Sequence, residues 1–241
     1  ARRELARRDG RGVAAVVVNF PHNPTGFLPT REWFAELVEL VTRHGALLFS
    51  DEVYRGLEPD PGRRLPAARD VCENAVSLGV MSKSWGLAGL RIGWVATRNS
   101  QLREAMAAFK DYTTICNSAP AEFLATLALT RGDWLLTRNR EILARNLALV
   151  EAFFHRFAER FVWPRPDAGP VAFPALREPG GDAAGFCLEV LAGSGVLLAP
   201  GEHFGLPGPH FRLGFGRRAL PEALGTLEAF LNGPAEPRET P

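Results

Sequence analysis

The residues best suited to chemistry lie in Val80–Trp94, VMSKSWGLAGLRIGW. This stretch holds one lysine, Lys83, an arginine eight positions on, Arg91, and glycines at 86, 89 and 93. A glycine-punctuated loop with two cations, directly after an apolar run, can hold an anion and present an amine. Lys83 is therefore read as a Schiff-base lysine. The chain strongly prefers arginine, and Lys83 and Lys110 are its two lysines, which weighs against a generic surface role. A nucleophilic lysine has to be partly deprotonated, a state that burial or a nearby cation such as Arg91 favours. The plain alternative is a solvated loop lysine.

Other residues could serve that amine, each with a bland alternative. Asp51 ends the run ALLFSD and could be a helix cap or a solvated acid. Asn23 sits in Asn-Pro-Thr-Gly, which also reads as a simple turn. His22 beside it reads as a polar loop residue. Tyr54 is one of two tyrosines and could be a half-buried aromatic. Arg212 lies in the apolar run HFRLGFG, where an unpaired buried guanidinium would be costly, so it meets solvent or an anion. A strand ending in acid also suits a nucleotide hydrolase, but that chemistry needs GxxxxGK[ST]. Gly79–Ser84, GVMSKS, is a near miss with Ser82 where the glycine belongs, and no GxGxxG occurs.

The elements that must position these residues follow from patterning. VAAVVVNF at 13–20 reads as a strand buried on both faces. A turn-rich PHNPTG follows. Thr30 then caps a helix with Glu32 in its first turn, an apolar stripe of Phe34, Leu37, Val38 and Val41, and Gly45 as its stop. Ala46–Ser50, Ala75–Val80 and Ile92–Thr97 read as further strands. The alternation predicts an α/β fold with a mostly parallel sheet and right-handed crossovers. In such sheets ligands gather beyond the carboxyl ends of the strands. The loops 21–26, 51–54 and 81–91 all fall on that edge.

Helices are predicted at Asn99–Lys110, Ala119–Thr130 and Trp134–Arg160, the last long enough to link two domains. Pro164, Pro166, Gly169 and Pro170 mark a boundary. Beyond it an α+β unit is expected: strands near Val171–Ala175, Val196–Ala199 and Phe211–Phe215, with helices at Ala183–Ala192 and Pro221–Leu231. The organisation is thus a partial large domain at 1–138, a connecting helix at 139–163 and a small C-terminal domain at 164–241. ARRELARRDGR at the start reads as the tail of a helix entering a strand, and the last ten residues as a frayed tail.

Composition narrows the function classes. With 28 basic and 27 acidic side chains in 241 residues, the net charge of +1 gives no electrostatic argument for nucleic acid or an anionic membrane. Cys72, Cys116 and Cys187 are scattered and odd in number, which argues against a disulfide framework or a metal site and for a reducing cytoplasm. No apolar run approaches membrane-spanning length. The chain lacks an initiator methionine and reads as beginning mid-domain.

AAVVVNFPHNPTG, LLFSDEVY, SKSWGLAGLRIGW, GVLLAPGEHFG and HFRLGFG, in that order, resemble the class I/II aminotransferases of fold type I, which depend on pyridoxal 5′-phosphate. The resemblance covers nearly the whole chain. It implies that Lys83 bonds to the cofactor aldehyde and shuttles the substrate α-proton. Asp51 would keep the pyridine nitrogen protonated, and Tyr54 and Asn23 would hydrogen-bond the ring hydroxyl oxygen. Ser82 and Arg91 would hold the phosphate, where a planar guanidinium fork suits the oxygens. Arg212 would clamp the substrate α-carboxylate, with Asn23 beside it. Asn23–Pro24 becomes a candidate cis bond.

The resemblance further implies a homodimer acting on amino acids and 2-oxo acids. It also implies an N-terminal segment before residue 1, carrying a phosphate loop and a ring-stacking aromatic. One position departs from the pattern: Val80 stands three before the lysine, where a small hydroxyl residue is usual. The same motifs serve lyases, cyclases and decarboxylases. They also serve cofactor-sensing domains of transcriptional regulators, which a helix-turn-helix before residue 1 would signal.

Overall fold

The structure, a computed structural model, describes residues 13–178 and 180–233. The expected helical entry at the start, and the tail beyond residue 233, lie outside the described residues. The chain divides into two compact units. One comprises Ala1–His22 and Phe27–Arg140, the other Asn23–Gly26 and Glu141–Pro241.

A sheet in the order β1 (Ala15–Asn19), β2 (Leu47–Asp51), β3 (Ala75–Val80) and β4 (Gly93–Thr97) forms the centre of the first unit. The β1–β2 and β2–β3 pairs are parallel and β3–β4 is antiparallel, so the sheet is mostly parallel, as predicted. Helix α1 (Arg31–Arg43) makes the crossover from β1 to β2. The Thr30 hydroxyl accepts from the Trp33 N–H at 3.2 Å, and Phe34, Leu37, Val38 and Val41 are buried. Gly45, at φ +64°, lets the chain reverse into β2. A short α2 (Ala68–Val71) precedes β3, and α3 (Ser100–Asp111) starts at Asn99, whose side chain accepts from the Leu102 N–H. Next come α4 (Ala119–Arg131) and α5 (Asp133–Arg156).

β1 departs from the expectation of burial on both faces. It is an edge strand with β2 as its one neighbour among the described residues, and Val17 is 71% exposed. The α1 stripe covers one face of the sheet; no described residue covers Val17. The apolar run states a tendency to be buried, and the coverage has to come from other elements.

The second unit is built on aromatic packing. Its elements are β5 (Phe161–Val162), β6 (Val171–Ala172), β7 (Ala175–Leu176), α6 (Ala183–Ser194), β8 (Ala199–Pro200), β9 (Phe211–Gly214) and α7 (Leu220–Asn232). β9 lies between β6 and β8, antiparallel to both. Phe161 meets Phe154, Phe186 and Phe211 at centroid distances of 5.5, 5.7 and 5.8 Å, and Trp163 stacks on Phe154 at 4.5 Å. That core explains why α5 ends at Arg156 rather than at the expected Arg160. The chain turns over Phe157–Arg160, with the Arg160 N–H donating to the Phe157 carbonyl at 2.9 Å, and so delivers Phe161 inward. Buried Asn146 ties α5 to the segment after β9 by donating to the carbonyls of Phe215 and Arg217 at 2.7 and 2.8 Å.

Candidate functional site

Sheet register decides which loops of the first unit meet. Asn19 pairs with Asp51, Asp51 with Leu78, and Val80 with Gly93. The carboxyl ends of β1, β2 and β3 therefore share an edge. Because β4 runs the other way, its start returns the chain to that same edge, and the whole 81–92 loop stays there.

Asp51 is the last residue of β2. Its carbonyl accepts from the Phe20 N–H and the Asn19 amide at 3.1 and 3.2 Å, and its Oδ1 accepts from the Val53 N–H at 3.1 Å. Glu52 has a structural part: its Oε1 accepts from the Ser77 hydroxyl at 2.7 Å and from the Ala68 N–H at 2.8 Å, fixing the start of α2. Tyr54 is buried.

The lysine loop is pinned from below and from the side. Met81 and Ile92 are buried against Ala121, Ala125 and Ala128 of α4 and Leu135 of α5. The Met81 N–H donates to the Ile92 carbonyl at 3.0 Å, closing the loop's base. The Ser84 hydroxyl, 2% exposed, donates to the Val53 carbonyl at 2.8 Å, tying the lysine loop to the Asp51–Tyr54 loop. The Asn139 amide donates to the Ser84 carbonyl at 2.9 Å, and Gly86 takes the left-handed turn beside it at φ +69°. Ser82 and exposed Lys83 stand between the anchors Met81 and Ser84.

Arg91 ends the short turn Ala88–Leu90 at φ +52°, a left-handed conformation uncommon outside glycine. It is exposed, with Nη1 donating to the Ala88 carbonyl at 3.2 Å. His22, at the end of this unit's first segment, has its imidazole pKa lowered by burial.

The second unit joins the other two predicted residues. Arg212 Nη1 donates to Asn23 Oδ1 at 2.9 Å, across 189 residues of sequence. Asn23 is fixed by its loop: the Gly26 carbonyl accepts from the N–H groups of Asp167 and Ala168 at 2.9 and 3.0 Å. Asn23–Pro24 is cis, as expected, and so is Phe20–Pro21.

Sequence reasoning missed Ser84, Asn139 and the Phe204 ring beside Arg212. A hydroxyl next to the lysine was the one visible signal. Chemically, the first unit offers an accessible amine, a strand-end carboxylate and a guanidinium on one sheet edge. The second offers a guanidinium oriented by an amide. Among the described residues no cluster of His, Cys, Asp and Glu could hold a metal ion, and no helix is long and apolar enough to cross a membrane.

Comparison with known proteins identifies the family to which the chain is similar. The sequence model of the family "Aminotransferase class I and II" matches residues 2–224. Capreomycidine synthase of Streptomyces vinaceus is 32% identical over 220 residues, covering 88% of this chain and 56% of that protein. L-aspartate:5-guanidino-3-methyl-2-oxopentanoate transaminase of Pseudomonas syringae pv. syringae is 32% identical over 215 residues, covering 87% and 52%. A solved PLP-dependent aminotransferase from Streptococcus suis 89-1591 superposes with a TM-score of 0.82 at 34% identity, covering 90% of this chain and 57% of that one. The chain thus spans just over half the length of the curated relatives it matches. Pyridoxal phosphate is the cofactor expected of such relatives. With a family match over nearly its whole length, the chain belongs to the class I and II aminotransferases.

Proposed function

We propose that the protein is a pyridoxal phosphate-dependent aminotransferase that moves an amino group between an amino acid and a 2-oxo acid. The observation that carries this reading is the Ser84–Val53 bond of 2.8 Å, which unites the loop of Lys83 with the loop of Asp51 and Tyr54. The donor set fits the cofactor: an amine for its aldehyde, a carboxylate for its ring nitrogen, and a hydroxyl and a guanidinium for its phosphate.

Bound pyridoxal phosphate supplies an electron sink for the charge that develops on the substrate α-carbon. Lys83 Nζ is the attachment point and then the base that holds and returns the α-proton. The Asp51 carboxylate keeps the ring nitrogen protonated, since an adjacent anion favours the charged form. The Tyr54 hydroxyl and Asn23 amide orient the ring through its hydroxyl oxygen. Ser82 and Arg91 bind the phosphate. Arg212, oriented by Asn23, binds the substrate α-carboxylate through paired N–H donors.

A homodimer in the cytoplasm completes the proposal. The apolar side chains Phe123, Leu124 and Leu127 of α4, exposed by 69%, 47% and 43%, support association. The three cysteines are free, which suits a reducing compartment.

The similarity to capreomycidine synthase supports one second reading, a PLP-dependent cyclase or lyase of specialised biosynthesis. One experiment separates the two. The protein is loaded with pyridoxal phosphate, reduced with borohydride, and mapped by peptide mass spectrometry. The cofactor should be fixed at Lys83 and absent in Lys83→Ala. The twenty amino acids are then added singly while the cofactor absorbance is followed. A change reversed by a 2-oxo acid marks transamination. Consumption of the amino acid with no need for a 2-oxo acid marks the second reading. Cofactor retained at another lysine would refute both.

A further inference from the structure

We propose that Phe204 is a positioning residue for Arg212, holding the guanidinium plane so that the substrate carboxylate meets its edge; this rests on Arg212 being the carboxylate ligand. The Arg212 guanidinium carbon lies 4.9 Å from the centroid of the Phe204 ring. One N–H of the guanidinium is taken by Asn23. With its central carbon over the ring and one N–H held by the amide, the guanidinium is restrained at two points, which leaves its remaining donors for a ligand. A bidentate carboxylate needs a pair of such donors in one plane, and a guanidinium tolerates stacking because it is weakly hydrated.

The local fold explains why the ring is there. Ala199 pairs with Arg212 in the β8–β9 ladder. The turn Gly201–Phe204 follows β8 directly, so it returns beside the arginine. That turn requires Gly201. Its N–H donates to the His210 carbonyl at 2.7 Å, and a Cβ would collide with the Leu206 carbonyl and stand 2.8 Å from that of His210. Gly205, at φ +73°, closes the turn in the left-handed region. The ring itself is braced edge-on by buried Phe173 at 5.9 Å, and Phe173 stacks on the His210 imidazole at 5.3 Å. His210, Phe173, Phe204 and Arg212 thus form one column, ending on the cation.

The test compares Phe204→Leu and Phe204→Tyr with the wild type by two readouts. The first is steady-state kinetics with the best amino donor from the twenty-amino-acid panel. The second is the rate at which phenylglyoxal modifies Arg212, read by peptide mass spectrometry. Phe204→Leu should raise KM on the order of 2- to 30-fold, the span of a cation–π contact, with kcat little changed. Arg212 should also react faster with phenylglyoxal in that variant. Phe204→Tyr keeps the ring and should restore both. Unchanged KM and reactivity in Phe204→Leu would overturn the proposal, as would a joint fall in kcat and affinity that Phe204→Tyr does not rescue. If no amino acid is processed, the transamination reading fails; the phenylglyoxal rates then decide alone whether the ring shields Arg212.

Discussion

Replacing Ser84 with alanine should loosen the lysine loop without touching a group proposed to meet the cofactor. The Ser84 hydroxyl is 2% exposed and donates to the Val53 carbonyl at 2.8 Å. Truncation removes the donor from a part-buried hydrogen bond and leaves the Val53 carbonyl without it, a loss of about 1–3 kcal/mol. The Asn139 bond to the Ser84 backbone carbonyl survives, because alanine keeps that carbonyl. The loop therefore keeps one side anchor and its Met81–Ile92 base, and the loss should sit near the lower end, about 1.5 kcal/mol.

Two assays read that number. With a urea m-value of about 3 kcal/mol/M for a chain of this size, the unfolding midpoint should fall by about 0.5 M. Pyridoxal phosphate should bind roughly tenfold more weakly, with Lys83 still the residue fixed by borohydride. Asn139→Ala should act in the same direction through the other anchor. The double variant should depart from additivity by about 0.5 kcal/mol or more, because the two bonds restrain one loop. Wild-type midpoint and cofactor affinity in Ser84→Ala would refute the claim that this hydroxyl joins the two loops. A fall in midpoint with unchanged cofactor affinity would refute its relevance to the site.

Gly26→Ala should be among the most damaging substitutions of the Asn-Pro-Thr-Gly loop. The residue sits at φ +69°, and an added Cβ would collide with Pro166 and stand 2.8 Å from the Val171 carbonyl. A loss of about 3 kcal/mol, lowering Tm by roughly 6–12 °C, is expected by calorimetry, and a shift under 2 °C would contradict the packing. Cys187 should make stability fall in alkali. Burial first, then the Asp182 and Glu202 carboxylates, push its thiol up from 9.0 to about 11, so the fold favours the neutral form. The unfolded chain ionises first; the stability is whole below pH 9 and is lost as pH rises from 9 towards 11. Urea midpoints across pH 8–11 should fall less steeply for Cys187→Ala than for wild type, and equal slopes would reject the assignment.

Much of this architecture is legible in local pattern. Thr30, the Phe34–Val41 stripe and Gly45 write α1 and its ends almost unaided. What cannot be read locally depends on distant partners. The Asn23–Arg212 bond joins residues 189 apart, and no spacing rule connects them. Ser84 is visible as a hydroxyl beside a lysine, but its partner, Val53, is chosen by the register of β2 and β3. The helical pattern runs unbroken through Arg160, and α5 nevertheless stops at Arg156 because Phe161 gains more by entering an aromatic core than by extending the helix. In α4, predicted as a helix over Ala119–Thr130 and observed over Ala119–Arg131, burial does not follow side-chain size. Its small residues Ala121, Ala125 and Ala128 are buried, since they admit the close approach of Met81 and Ile92, while Phe123 and Leu124 face outward.

The lysine loop shows where local rules stop and site demands begin. Its glycines suggest a backbone bent by glycine throughout, yet they differ in purpose. Gly86 takes a left-handed turn, and Gly93 accommodates a close approach, since a Cβ there would stand 2.9 Å from the Gly79 carbonyl. Gly89 has nothing within 4 Å of a would-be Cβ. The other left-handed position in the loop belongs to Arg91, where glycine would avoid a strain of roughly 1–2 kcal/mol. Its backbone is held there by the bond to Ala88 and by buried Ile92 next to it. A long cationic side chain at a position that favours glycine is a violation of propensity of the kind expected at functional sites. The strain is therefore an argument, independent of any resemblance, that the Arg91 side chain is needed at this sheet edge for the anion the loop is proposed to hold.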